Sequence, residues 1–277
     1  MIDIGTHQQQ VNEAVDFLRS RLGKSPEILV SLGTGLSGLA DSLAEQIIIP
    51  YEEIPHFSVS TVASHAGNLV CGTLGGKHLA ILQGRMHCYE GYTAREVAFP
   101  IRVLSLLGAR TAIITNASGG LNPHFYAGSI MVMTDHINLL GDNPLRGPKI
   151  EEWGPRFPDL SKPYDSKLVN LAFDAAQELG IEEITSGTYI CIPGPSLETP
   201  AETTYLRHCG GDAVGMSSIP EILVASHGGL DILGLSVVAN VNDPDNLQPI
   251  ILEDIIQTAQ DTEPILQKLI AGIVTRC

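Results

Sequence analysis

The chain has 277 residues, with 16 lysines and arginines against 31 aspartates and glutamates, and its formal net charge is −15. That charge repels phosphate backbones and anionic lipids, so neither nucleic acid nor a membrane surface is an expected partner. Apolar residues make up 44% of the sequence, enough for a globular core, and no apolar run approaches the ~18 residues of a membrane helix. Residues 1–10 do not resemble a signal peptide. We therefore expect a cytoplasmic globular protein.

The first elements in chain order are a helix, a buried strand and a hairpin. Apolar residues recur at helical spacing over 6–22, and the short apolar run 28–32 is typical of a buried strand. Gly75-Gly76 separates two strand-like segments, 69–74 and 78–83. Because a Gly-Gly pair supplies the positive φ angles of a tight turn, part of the sheet is predicted to be antiparallel.

Later segments repeat a unit of strand, loop and capped helix. The capping-box pattern occurs three times, in Thr93 with Glu96, Thr199 with Glu202 and Ser218 with Glu221. The first of these predicts one helix from Thr93 through Leu107. Further strand candidates are 112–115, 130–134, 188–192, 213–216 and 232–238. The alternation predicts an α/β protein with a mixed, mostly parallel sheet covered by helices.

The loop after the first strand has three interpretations. Residues 33–38 fit G-x-G-x-x-G, and Glu52 and Glu53 lie near the spacing of a ribose-binding acid. This favours a dinucleotide site, as in an NAD-binding oxidoreductase. Alternatively, the loop amides and the Thr34 hydroxyl bind a single phosphate at a helix start. The third interpretation is an ordinary turn.

The segment 83–92 carries a candidate oxyanion site. Arg85 and His87 alternate along a backbone that follows a strand, so both can point to the same side. Guanidinium and imidazole together suit a phosphate. Alternatively, Arg85 forms a surface salt bridge and His87 is an ordinary packed or surface residue. The same alternative applies to His65.

Polar residues also follow several other predicted strands. The small residues of 115–120 permit close backbone approach to a ligand, and 194–199 contains Glu198. The Glu198 carboxylate either interacts favourably with a helix N-terminus or accepts hydrogen bonds from the N–H groups of a heterocycle. Ser217 and Asn240 follow the last strands, where Ser217 caps a helix or binds a phosphate oxygen and Asn240 both donates and accepts. Loops at the carboxyl ends of strands line the ligand crevice in such folds, so these residues are expected to meet there.

Other site classes find no support in the sequence. There is no H-E-x-x-H or paired Cys/His spacing, so no metal site is expected, and no G-x-S-x-G elbow indicates a serine hydrolase. The five cysteines are scattered and odd in number. We expect them to be reduced thiols.

Six segments between residues 28 and 240 resemble, in order, those of the trimeric class of purine nucleoside phosphorylases. The most informative are 83–92, 115–122, 194–199 and 213–221. The resemblance implies a nucleoside phosphorylase fold, with a single domain over 1–277 and a distorted, barrel-like mixed sheet surrounded by helices. It also implies reversible phosphorolysis of 6-oxopurine nucleosides, such as inosine and guanosine, to the free base and ribose 1-phosphate. Inorganic phosphate is then a co-substrate, and no metal or organic cofactor is needed.

The same resemblance implies roles for individual residues. Those expected at the phosphate are Thr34, Arg85, His87, the Ala117 backbone and Ser217, with His65 nearby. Those expected at the nucleoside are Tyr89 and Met216 at the sugar, Glu198 and Asn240 at the purine edge, and Leu197 and Val214. The expected catalytic residues are His87, Glu198 and Asn240, since contacts that strengthen as charge separates accelerate the reaction. Phe157 would reach a neighbouring subunit's site, which implies a homotrimer.

The chain departs from the family pattern at four positions. Thr34 replaces a serine but keeps the hydroxyl, and Ala239 replaces a common hydroxyl residue. Leu197 stands where many members have an aromatic residue, so ring stacking on the base is lost. Leu252 stands near a histidine that often binds the 5′-hydroxyl. A leucine there favours 5′-methylthio nucleosides, so these substrates, xanthosine and a non-catalytic purine-binding role stay open.

Overall fold

The computed structural model describes residues 4–33, 36, 38–59 and 66–277, and within them nine strands form one sheet flanked by seven α-helices. The strands are β1 (Ile28–Leu32), β2 (Ala44–Pro50), β3 (Asn68–Leu74), β4 (Lys77–Gln83), β5 (Thr111–Gly120), β6 (Ile130–Asn138), β7 (Ile184–Cys191), β8 (Ala213–Gly215) and β9 (Asp231–Val241). The helices are α1 (Ile4–Arg21), α2 (Ala94–Val97), α3 (Phe99–Leu107), α4 (Ser166–Leu179), α5 (Pro200–His208), α6 (Ile219–His227) and α7 (Leu252–Val274).

The sheet closes partly on itself. Its strand order is β2-β3-β4-β1-β5-β8-β7-β6-β9, and β9 pairs again with β5, so the last five strands form a ring. Strand β1 runs parallel to both β4 and β5, and β5 runs parallel to β9. Strand β8 is antiparallel to β5, and β6 is antiparallel to β9. The predicted fold class, an α/β fold with a mixed, barrel-like sheet, is confirmed.

Alternating strand residues separate two hydrophobic clusters. All five residues of β1 are buried, with Leu29 in one cluster and Val30 in the other. Leu18 of α1 packs into the first cluster and Leu269 of α7 into the second. Since successive side chains of a strand point to opposite faces, helices cover β1 on both sides. No helix in the described part of the chain has the length and hydropathy for a bilayer crossing.

The hairpin and two of the three capping boxes are confirmed. Gly75 and Gly76 have φ of 59° and 82° between the paired strands β3 and β4. Thr93 and Thr199 each accept a hydrogen bond from the backbone N–H three residues on. The single helix predicted through Leu107 is wrong, because it divides into α2 and α3 at Ala98, two residues before a proline that has no N–H for the helical ladder.

The dinucleotide interpretation of residues 33–38 is contradicted. A five-residue 3-10 helix, Gly38–Ser42, follows the loop, and the chain then enters β2, which pairs antiparallel with β3. Among the described residues between β1 and β2 there is thus no α-helix whose N-terminus could hold a pyrophosphate. Glu53, a proposed ribose ligand, instead forms an exposed ion pair with Arg21 at 3.1 Å. Strand β2 was missed because five of its seven residues are exposed, so it lacks the apolar alternation of a strand.

Candidate active site

A cavity of about 240 Å³ lies where β1, β4, β5 and β9 end. These strands run in one direction, so their carboxyl ends come together as predicted. Strand β8 reaches the same place differently: it pairs antiparallel with the end of β5, where Val214 lies opposite Gly119. The predicted site residues that line the cavity are Arg85, His87, Tyr89, Ala117, Leu197, Glu198, Val214, Met216, Ser217 and Asn240.

Three predicted site residues do not line this cavity as described. Thr34 and His65 lie outside the described residues, although Gly33, which precedes Thr34, lines the cavity. Phe157 lies in the segment between β6 and α4, and its side chain is 86% exposed. Its place is compatible with a role outside its own subunit.

Arg85 is held rigidly at one end of the cavity. Its side chain is only 3% exposed, and its Nη1 lies 2.9 Å from Glu221 Oε2. Nη1 also donates to Ser218 Oγ at 2.8 Å, while Nη2 donates to the backbone oxygens of Ser31 and Thr115 at 3.1 and 2.5 Å. Nε is buried and has no hydrogen-bond partner among the described residues. One N–H of the guanidinium is therefore left without an acceptor from the described residues.

The third predicted capping box, Ser218 with Glu221, is wrong. Ser218 makes no side-chain cap, and its backbone is left-handed, with φ of 68°. Its hydroxyl instead accepts hydrogen bonds from Arg85 and from Asn116 Nδ2, both at 2.8 Å. Glu221 also accepts from Ser31 Oγ at 2.6 Å. Both residues of the pattern thus support the arginine, and an unusual backbone at a buried polar centre is typical of a functional site.

His87 is fixed next to Arg85 in its neutral form. Its Nδ1 lies 3.0 Å from Glu90 Oε1, and because a carboxylate only accepts, Nδ1 carries the proton. Burial and the nearby Arg85 charge lower the pKa of His87 to about 4. The Tyr89 ring stacks on the imidazole with centroids 4.6 Å apart. An anion bound here would raise the pKa of His87 again.

Glu198 and Asn240 lie at another part of the cavity and are joined by a residue that the sequence analysis did not single out. Asn240 Nδ2 donates to Asn242 Oδ1 at 2.6 Å, and Asn242 Nδ2 donates to Glu198 Oε2 at 3.2 Å. Asn242 is buried and also fixed through its backbone, which bonds to Gly120. Burial raises the pKa of Glu198, although Asn242 opposes that change. Asn242 therefore orients both purine-edge candidates.

Three apolar residues near the start of α7 complete the cavity wall: Ile250, Leu252 and Ile255. Leu252 is one of the four positions at which the chain departs from the family pattern. Leu252 is 64% exposed in the single chain. The wall offers no side-chain hydrogen-bond donor or acceptor at these positions.

Comparisons with known proteins show the family of this chain. The family model described as the phosphorylase superfamily matches residues 27–275. Purine nucleoside phosphorylase 1 of Bacillus subtilis is 44% identical, over 97% of this chain and 99% of its own. The purine nucleoside phosphorylase of Rattus norvegicus is 43% identical, over 95% and 93%. The Schistosoma mansoni enzyme, solved with inosine, superimposes with a TM-score of 0.92 at 37% identity, covering 97% of this chain and 96% of that one.

Proposed function

The chain belongs to the purine nucleoside phosphorylases of the phosphorylase superfamily, and we propose that this cavity binds inorganic phosphate beside a 6-oxopurine nucleoside. The observation that carries the proposal is that Arg85 and Asn240, 155 positions apart by number, line one cavity. The reaction is the reversible phosphorolysis of the glycosidic bond, which yields the free base and ribose 1-phosphate. Neither a metal nor an organic cofactor takes part in it.

Phosphate is assigned to the part of the cavity that holds Arg85. The unpartnered Arg85 Nε, the Ser217 hydroxyl and the backbone at Ala117 provide donors to a dianion. His87 is neutral before phosphate arrives, and the dianion favours its protonated form, which adds a further donor. Thr34 and His65 remain predicted phosphate contacts.

The purine is assigned to Glu198 and Asn240. A 6-oxopurine carries a proton on ring nitrogen N1, and the ionised Glu198 carboxylate can accept a hydrogen bond from this N–H. A 6-aminopurine has a lone pair at that nitrogen, so it faces the carboxylate oxygen without a hydrogen bond. With one Asn240 amide proton used by Asn242, the other is available to the purine nitrogen N7.

The chemistry follows from the charges that develop. As the glycosidic bond lengthens, the sugar becomes positive and the base negative, so an Asn240 donor at N7 binds more strongly in the transition state. Phosphate stabilises the sugar cation and then attacks the anomeric carbon, and the electron pair of the broken bond stays on the base. The protein supplies positioning and electrostatics, and no side chain acts as a nucleophile.

The assembly and compartment are also part of the proposal. The exposed Phe157, next to Arg156, suits a homotrimer in which each subunit completes a neighbour's nucleoside site. The net charge of −15 argues against nucleic acid and anionic membrane surfaces as partners, and we propose a cytoplasmic enzyme.

The direct test is incubation of the purified protein with inosine and phosphate. Hypoxanthine should form only when phosphate is present, and guanosine should react in the same way. No phosphate-dependent turnover of inosine, guanosine or xanthosine would refute the proposed function. Binding of base without turnover would instead identify a non-catalytic purine-binding protein.

The apolar wall favours a second candidate, phosphorolysis of 5′-methylthio purine nucleosides. Ile250, Leu252 and Ile255 can bury a thioether but cannot bond a 5′-hydroxyl. The ratio of kcat/KM for 5′-methylthioinosine over inosine tests this, with Leu252→His as the matched variant. A higher ratio in the native protein than in the variant supports it, and an unchanged ratio contradicts it.

A further inference from the structure

A second cavity is lined by basic side chains although the chain is strongly acidic. It measures about 50 Å³ and lies between α1, α3, α6 and the segment 144–156. Its basic residues are His7, Arg95, Arg102, Lys149, Arg156 and His227, and no described aspartate or glutamate lines it. It shares no lining residue with the active-site cavity. Such a local excess of positive charge attracts anions.

Arg102 is the most informative residue of this cavity. It is 4% exposed, and no carboxylate among the described residues forms an ion pair with it. Nη2 donates to His227 Nδ1 at 2.7 Å, Nη1 donates to the Trp153 carbonyl at 3.3 Å, and the guanidinium lies 5.0 Å from the Trp153 ring centroid. Burial lowers the pKa of Arg102 to about 10. The equally buried Arg85 has Glu221, whereas Arg102 has no anionic partner among the residues that the structure describes.

Nearby carboxylates compensate only part of the positive charge of the cavity: Asp142 acts on Arg95, and Glu151 pairs with Lys149. Arg95 Nη1 is buried without a hydrogen-bond partner in the described chain, and Nη2 donates to the Arg146 carbonyl. Arginine only donates, so His227 Nδ1 accepts from Arg102, and Nε2–H donates to the Pro155 carbonyl at 3.0 Å. His227 is therefore neutral and holds Arg102 in place. Burial, with Arg95 and Arg102, lowers the pKa of His7 to about 4, so it is neutral as well.

The geometry points to a second oxyanion site in this cavity, separate from the phosphorolysis site, in which Arg95 and Arg102 bind one phosphate group. Planar guanidinium groups match the oxygen spacing of phosphate, and neither Arg95 nor Arg102 forms an ion pair with a carboxylate in the described part of the chain. The volume suits one small tetrahedral group rather than a nucleotide. Inorganic phosphate and the phosphate of a sugar phosphate share this chemistry.

The chain contains a natural reporter of this site. Trp153 is its only tryptophan, and it lies under the Arg102 guanidinium. Intrinsic fluorescence therefore reads this cavity directly, without depending on turnover. Inorganic phosphate is titrated into the native full-length protein at constant ionic strength set with sodium chloride, and ribose 1-phosphate is titrated in parallel. We expect a saturable change in fluorescence with phosphate that chloride does not produce. The ligand that binds more tightly shows whether the site takes inorganic phosphate or a sugar phosphate.

Variants separate this site from the active site. Arg95→Gln should weaken the phosphate response about tenfold, as expected for the loss of one charge-assisted contact, and Arg102→Met should abolish it. Ser217→Ala, which alters the active-site cavity, should leave the response unchanged. Arg95 is only partly buried, so its variant remains decisive if Arg102→Met does not fold. The inference is overturned if phosphate changes the Trp153 fluorescence no more than chloride does. A carboxylate of a neighbouring subunit in the cavity would give that result. It is also overturned if Arg95→Gln responds to phosphate like the native protein.

Discussion

The two parts of the active-site cavity differ in how firmly their side chains are held. At the phosphate part, Arg85 is fixed by an ion pair and by bonds to three further residues, all of them buried. At the purine part, Leu197 is 50% exposed, and Glu198 has one side-chain partner, Asn242. On the proposed assignment, inorganic phosphate, the co-substrate for every nucleoside, would meet a rigid set of donors, whereas the base would meet side chains with fewer contacts. Substitutions at the two parts should therefore have different consequences.

The largest effect is expected from Arg85→Ala. It leaves the Glu221 carboxylate buried without its cation, which costs about 3–5 kcal/mol of unfolding free energy, and it removes a phosphate donor. Denaturant unfolding and phosphate saturation kinetics measure both effects. The double variant Arg85→Met with Glu221→Leu is the control and should recover stability but not phosphate binding. If Arg85→Ala were as stable as the native protein, the ion pair with Glu221 would not hold Arg85 in place as described.

Asn240→Ala tests the purine part by rate. We expect kcat to fall by about 10² to 10³, because the lost donor acts mainly as charge develops on the base. The KM for phosphate should hardly change, since Arg85 lies in the other part of the cavity. Steady-state kinetics with inosine separate the two parameters. An unaltered kcat would refute the role assigned to Asn240.

Acidification should destabilise the phosphate part. The pKa of His87 is 6.5 in the unfolded chain but about 4 in the folded one, so below pH 6.5 the unfolded state binds the extra proton. The free energy of unfolding is therefore highest above pH 6.5 and falls towards pH 4, with up to ~3 kcal/mol from this residue. Denaturant titrations across this range measure the slope. His87→Gln should make the slope shallower, while His7, whose pKa is also lowered to about 4, keeps part of it. A slope identical to the native one would contradict the assignment.

Asn242→Ala should have a smaller effect, confined to the purine part. Without the bridge, Glu198 and Asn240 lose their fixed orientation, and kcat/KM for inosine should fall about tenfold. Asn242→Asp is the informative partner variant, since a carboxylate can still accept from Asn240 but cannot donate to Glu198. A loss of phosphate saturation in either variant would show that the two parts are not independent.

The smallest effect is a gain, expected from Leu197→Phe. An aromatic ring stacked on the base adds about 0.5–1.5 kcal/mol, so the KM for the nucleoside should fall between twofold and tenfold. Leu197→Met, which keeps the volume without the ring, is the matched control. Equal KM values for the two variants would show that the base does not stack at this position.

The sequence predicted those features that depend on local pattern. Gly75-Gly76 specified its hairpin, and the segments after the strands indicated most of the cavity wall. Ser218 and Glu221 were misread because a capping box and a buried arginine partner use the same residue types. Only the fold shows that Arg85 lies beside Glu221, since nothing local to either residue records a contact between distant segments. Asn242 was missed for the same reason.

The ring formed by β5, β8, β7, β6 and β9 has a consequence for substrate admission. Each of these strands is hydrogen-bonded on both edges, so the ring cannot widen without breaking a ladder. The connecting segments 193–199 after β7 and 242–251 before α7 also border the cavity, and they are not held in this ladder. We therefore expect any rearrangement that accompanies turnover to fall in these segments, while the hydrogen-bonded strands hold their side chains in place.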